Sequence, residues 1–104
     1  MNSPLDDIAF LANSDNRVVV LKRLVDGSRH HDELVDQVDA SRVTIARILR
    51  ELEAHEWITH SGRKYTITPL GEWVYDEFTR LVDQMETEHR LREAMQWFPA
   101  DLLT

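Results

Sequence analysis

Three arginines share one stretch of this chain, Asp39 to Leu52 (DASRVTIARILREL), threaded between isoleucines and leucines. On a helix of 3.6 residues per turn, Ile45, Ile48, Leu49 and Leu52 fall within about 100° of arc. Val43, Ala46, Arg47 and Arg50 lie opposite, with Arg42 at the edge. A guanidinium is a planar fork of donors that matches phosphate oxygens or the O6/N7 edge of guanine. The wet side of any core helix has the same pattern, and there Arg47 would pair with Glu51 at i+4 and Arg50 with Glu53 at i+3.

The chain has 104 residues and a net charge of −7, with 19 acids against 12 bases. Only Lys22 and Lys64 are lysine. Such a balance argues against a general coat for nucleic acid, which rests on clustered positive charge. The distribution says otherwise: Ser41 to Lys64 holds Arg42, Arg47, Arg50, Arg63 and Lys64 against Glu51, Glu53 and Glu56, so the positive charge is local. An acidic, lysine-poor surface also suits a salt-loaded cytoplasm. Without cysteine there are no disulfides, thiolate metal sites or thiol nucleophiles. No apolar run approaches the ~20 residues that span a bilayer and no signal-like stretch opens the chain, so a soluble cytoplasmic protein is expected.

The elements that must hold the arginines follow from spacing and punctuation. Ser3-Pro4 starts a short helix with Leu5, Ile8, Leu11 and Ala12 on one side, and Asp6 and Asp7 suit its N-terminal dipole. Ser14 caps a second helix through Val18, Val20, Leu21, Leu24 and Val25, closed by a left-handed Gly27 at C′. After an extended piece, Ser28 to His30, Asp32 and Glu33 open a third helix with Leu34, Val35 and Val38 inward. Ser41 caps the fourth, which runs to about His55. WITHSGRKYTIT then reads as a hairpin with Gly62-Arg63 in a type II′ turn, pairing Ile58 with Ile67 and His60 with Tyr65. Thr68 caps a long helix with Pro69 at N1, striped by Leu70, Trp73, Val74, Phe78, Leu81, Val82 and Met85. Glu86, Glu88, His89, Arg90 and Arg92 break that stripe before Met95, Trp97 and Phe98 resume it, which leaves room for a bend or a second helix near residue 88.

A short helix, a tight turn, a helix beginning Ser-Arg-x-Thr and a basic-tipped hairpin form an ordered set. DELVDQVDASRVTIARILRELEAHEWI and YTITPLGEWV carry it, and over residues 14–85 the chain resembles the winged helix-turn-helix transcriptional regulators of archaea and bacteria, the ArsR/MarR-like group. The resemblance implies an α+β, mostly helical fold with a two-stranded wing and a long C-terminal helix in a single domain over 1–104. Residues 14–68 would form the core with its wing, and 1–13 and 69–98 the dimerisation helices. It implies sequence-specific binding of double-stranded DNA by a homodimer that regulates transcription. A major groove admits one helix, and its outward donors read base edges. Arg47 and Arg50 are the readers, and Val43 and Ala46 suit thymine methyls. Ser41, Arg42 and Thr44 in the first turn favour phosphate, as do Arg63 and Lys64 on the wing, with Arg63 also suited to the minor groove. Dimer contacts carry over to Leu5, Ile8, Leu11, Phe78, Leu81, Val82 and Met85, with recognition helices about 34 Å apart on a palindromic site. One departure is Asp39 at the turn, where glycine is common because positive φ is often needed.

Other chemistries find less support. His30, His31, His55, His60 and His89 show no ligand spacing on one helix, and no metal or cofactor is expected. The carboxylates are spread over several elements beside no nucleophile motif, so no enzyme is expected. His60 should pack beside Tyr65 as a half-buried ring. The apolar QWFPADLLT end would be covered by a two-fold partner or by a C-terminal effector domain beyond this chain. The rival function is a winged-helix protein-interaction module with no operator, which the net charge favours. Operator, effector, regulated genes and the sign of regulation are not written in the residues.

Overall fold

A computed structural model describes residues 3–96. The expectations for Trp97, Phe98, Leu102 and Leu103 concern residues outside this range. Five helices and three short strands follow one another: α1 Pro4–Ala12, α2 Asp15–Asp26, β1 Arg29–His30, α3 His31–Gln37, α4 Arg42–Ala54, β2 Ile58–Ser61, β3 Lys64–Ile67 and α5 Pro69–Met95.

Local chemistry sets the helix starts. Ser3, Ser14, Ser41 and Thr68 each accept a backbone N–H from the first turn of the following helix, and Ser3 forms a full capping box with Asp6. Pro69 at N1 gives up only an N–H that the helix could not use. α3 starts earlier than Asp32, at His31, with the Glu33 carboxylate accepting the His30 N–H at 2.9 Å.

The helix ends differ from expectation. Gly27 is the C-cap of α2 with φ 154 and ψ 161, a glycine-only extended conformation rather than a left-handed turn at C′. Asp39 keeps negative φ, so the α3–α4 turn needs no glycine; extended Val38 does the turning. The left-handed residue lies elsewhere, at Glu56 (φ 61). There the Glu56 N–H bonds Glu53 O at 2.9 Å and the Trp57 N–H bonds Leu52 O at 3.2 Å, a Schellman ending for α4 with Leu52 and Trp57 buried beside it.

The hairpin has the expected register, Ile58 opposite Ile67 and His60 opposite Tyr65. Gly62 has φ 61 while Arg63 does not have positive φ, the type II′ pattern. The sheet has a third strand, however, in the order β1-β3-β2. β1 pairs Arg29 with Tyr65 and His30 with Lys64, and Ser28 Oγ meets Thr66 Oγ1 at 2.8 Å. Both strand residues and their partners are far apart in sequence, so no local pattern announces the pairing.

The core joins α2, α3, α4 and the sheet: Val20, Leu21, Leu24, Leu34, Val38, Ile45, Ile48, Leu49, Leu52, Trp57, Ile58 and Ile67, with Leu11 from α1. Gly71 is a packing residue. A Cβ there would lie 2.0 Å from the Trp57 carbonyl oxygen, so glycine lets the first turn of α5 press onto the body. Thr68 ties the same corner together, its hydroxyl donating to Glu56 O at 2.8 Å while accepting the Gly71 N–H at 3.0 Å. α5 runs unbroken through residue 88 for 27 residues, about 40 Å. Strong helix formers and the Glu88–Arg92 pair at i+4 carry it where the apolar stripe stops.

Candidate nucleic-acid interface

α4 is bolted down along one side. Ile45, Ile48, Leu49 and Leu52 are at most 1% exposed, which fixes the opposite side as the outward one. Val43 stands there with 79% of its surface exposed, beside exposed Arg42, Arg47 and Arg50 and half-buried Thr44 and Ala46. At the helix start the Ser41 hydroxyl is fully employed, accepting the Thr44 N–H at 3.1 Å and donating to Thr44 Oγ1 at 2.9 Å.

The acids around this face take specific partners. Arg42 Nη1 bonds Asp32 Oδ1 at 2.7 Å, bridging α4 to α3, and comes within 3.5 Å of His31 Nδ1. This guanidinium holds the Asp32 carboxyl below its ordinary carboxylate value, helped by the charges of Arg63 and His31. The sequence pattern marks Asp32 only as a helix-opening acid; the fold makes it the ion-pair partner of Arg42. Arg47 approaches Glu51 only to 3.8 Å, whereas Glu51 is tightly held by Arg17 at 2.9 Å. Glu53 faces His60 of β2 at 2.5 Å, leaving Arg50 with no ion pair among the described residues. His60 is exposed rather than half-buried, with its ring 5.3 Å from that of Tyr65.

The wing tip is tied to the helix pair. The His31 N–H donates to Arg63 O at 3.0 Å, which joins the start of α3 to the turn carrying Arg63 and Lys64. Both side chains are exposed. The structure thus brings Arg42, Arg47, Arg50, Arg63 and Lys64 onto α4 and the adjoining turn.

A second surface faces away from the core along α1 and α5. Leu5, Ile8, Leu81, Val82 and Met85 are exposed there, along with Leu70 and Trp73. A groove of about 390 Å³ runs between the two helices, lined by Ile8, Trp57, Trp73, Phe78 and Leu81 among others. Two residues expected in this set sit differently. Leu11 is 2% exposed and belongs to the core, because it lies on the inner side of α1. Phe78 is partly buried against the same core. Among the described residues no three His, Asp or Glu side chains converge as a metal site, and no helix is long and apolar enough to cross a membrane.

The family model described as the HVO_A0261 N-terminal domain, a haloarchaeal one, matches residues 5–90. The chain belongs to this family. No curated relative matches the sequence of this family member. Among solved structures it is similar to YtfH of Salmonella typhimurium, a proposed transcriptional regulator, with 25% identity and a TM-score of 0.65 over 89% of this chain and 90% of that one. A MarR-family protein of Enterococcus faecalis V583 superposes at a TM-score of 0.74 with 21% identity, over 86% of this chain and 89% of that one. The transcriptional regulator BldR from Sulfolobus solfataricus gives 0.65 and 19%, covering 92% and 73%. The family member therefore has the winged-helix fold of the MarR regulators, as its sequence resemblance implied.

Proposed function

We propose that this protein is a transcriptional regulator that binds double-stranded DNA with sequence preference, as a homodimer. One observation carries the reading: α4 is anchored by four buried residues and turns Val43, Arg47 and Arg50 outward, next to a turn bearing Arg63 and Lys64. An apolar residue left in water on the first turn of a helix does nothing for the core, but it suits a thymine methyl in a major groove. Arg47 and Arg50 supply forks for guanine. Thr44, Arg42, Arg63 and Lys64 hold the flanking backbone, and Arg42 exchanges Asp32 for a phosphate as it binds. The likeness to BldR, a transcriptional regulator, and to YtfH, a proposed one, supports the same reading. The second copy covers the stripe of α5 and the exposed side of α1, placing two α4 helices about 34 Å apart on one face of the duplex.

The test is selection of bound duplexes from a random-sequence pool, followed by two variants. Arg47→Ala is expected to erase preference at one base pair per half-site, worth about 1–3 kcal/mol of discrimination. Lys64→Ala is expected to weaken selected and random duplexes alike and to lower the salt slope by about one. Equal effects of both variants on both duplexes would sink the assignment. No retention of DNA at any salt would instead leave a winged-helix module for protein partners.

A further inference from the structure

Arg47, Glu51 and His55 lie at i, i+4 and i+8, one row along α4 from the outward face to the α1 side. The middle of this row is held from behind. Arg17 of α2, mostly buried, donates to Glu51 Oε2 at 2.9 Å and to Phe10 O at 2.9 Å, with its guanidinium 4.1 Å above the Phe10 ring. Phe10 also stacks on His55 at 4.4 Å, and His55 Nε2 lies 3.3 Å from Asp7 Oδ1. Two α1 residues therefore press on the far end of the row. The other oxygen of Glu51, Oε1, is buried without a hydrogen bond and lies 3.8 Å from Arg47 Nη1.

A buried acceptor with one oxygen fixed and the other unmet is a directional lure for the nearest donor. Arg47 Nη1, at 3.8 Å and beyond hydrogen-bond length, is the cation nearest that oxygen, and the Arg47 side chain is 55% exposed. We infer that Glu51 and Arg17 are positioning residues for Arg47: Arg17 fixes the Glu51 carboxylate, and the carboxylate presets the guanidinium for the base it reads. The inference rests on the proposal that α4 reads DNA. Its consequence is specificity rather than affinity, because Glu51 is half-buried and its charge opposes phosphate. The same contacts make α1, which carries Leu5 and Ile8, part of the support for a base-reading side chain.

Glu51→Gln tests this with little change of shape. The amide oxygen keeps the Arg17 bond, while the amide NH₂ meets Arg47 donor to donor. Binding is measured on a duplex selected by the unaltered protein, on its variant at the base pair whose preference Arg47→Ala erases, and on a random duplex, with thermal melting alongside. The expected result is a cooperative melting transition lowered by the loss of the charge on the Arg17 pair, random-duplex binding at a temperature well below it no weaker than before, and discrimination at that base pair reduced about tenfold. Glu51→Gln added to Arg47→Ala should reduce discrimination no further. Arg17→Lys, which keeps the charge but loses the fork, should reduce discrimination at the same base pair by a smaller factor, and it replaces Glu51→Gln if that variant does not fold. Full discrimination in Glu51→Gln, equal weakening of all duplexes, or additive losses in the double variant would overturn the inference. An unaltered protein that prefers no duplex would bring down the DNA-reading proposal, and this inference with it. A discriminating protein indifferent to Glu51 and Arg17 brings down the inference alone.

Discussion

Two helices carry apolar stripes at the same three-and-four spacing and meet opposite fates. On α4 the stripe Ile45, Ile48, Leu49, Leu52 disappears into the body, whereas on α5 Leu81, Val82 and Met85 keep 40–46% of their surface in water. The difference comes from position in the chain. α4 is surrounded by α2, α3 and the sheet, while α5 leaves the body after Phe78 and extends about 25 Å beyond it to Met95. A stripe covered by its own chain specifies the fold; a stripe left in water is the surface that the proposed homodimer would cover.

The sharpest way to break the comparison is at the point where α5 meets the body. Gly71→Ala places a methyl 2.0 Å from a backbone oxygen that cannot swing aside. It is expected to cost about 3 kcal/mol or more, the upper range for forced insertion into packed structure. Urea unfolding would read it, and a variant as stable as the parent would show that the first turn of α5 does not hold the body together.

Further out the expectation reverses. Leu81→Glu combined with Met85→Glu alters only exposed side chains, so the body should melt within about 0.5 kcal/mol of the parent. Self-association should weaken about 100-fold, or ~2.7 kcal/mol, and binding to paired half-sites should lose its cooperativity. Sedimentation over a concentration series decides: an unchanged dimer would place the interface elsewhere, and a body unfolding with the dimer would erase the distinction between the two stripes.

Sequence spacing made the body legible because its signals are local. Ser14, Ser41 and Thr68 each cap a helix that begins at the very next residue, and the Gly62 turn together with alternation sets the hairpin register. The hidden features depend on partners distant in the chain. β1 is two residues whose strand character exists only against Tyr65 and Lys64, and Arg17 meets Glu51 across 34 positions. Asp32, placed between Arg42 and the wing tip, is an ordinary helix-start acid until the fold closes around it. Leu5, Ile8 and Leu11 share a helical spacing, but only packing against the core shows that Leu11 faces inward. Chemistry can also mislead: glycine would have marked the end of α4, and glutamate stands there instead.

That substitution by nature offers the gentlest probe of the contrast. Glu56 holds φ 61 so that the Glu56 and Trp57 N–H groups can close α4 on Glu53 O and Leu52 O. A side chain in the left-handed region costs roughly 1–2 kcal/mol, part of which glycine gives back through the greater freedom of its unfolded chain. Glu56→Gly is therefore expected to stabilise the body by about 0.5–1 kcal/mol, a rise of a few degrees in melting temperature. Because Glu56 lies at the α4–β2 corner and α5 beyond Phe78 takes no part in that closure, self-association should be unchanged. A rise in melting temperature accompanied by tighter dimerisation would mean that the corner and the α5 stripe are coupled, and that the body and its outrunning helix act as a single unit.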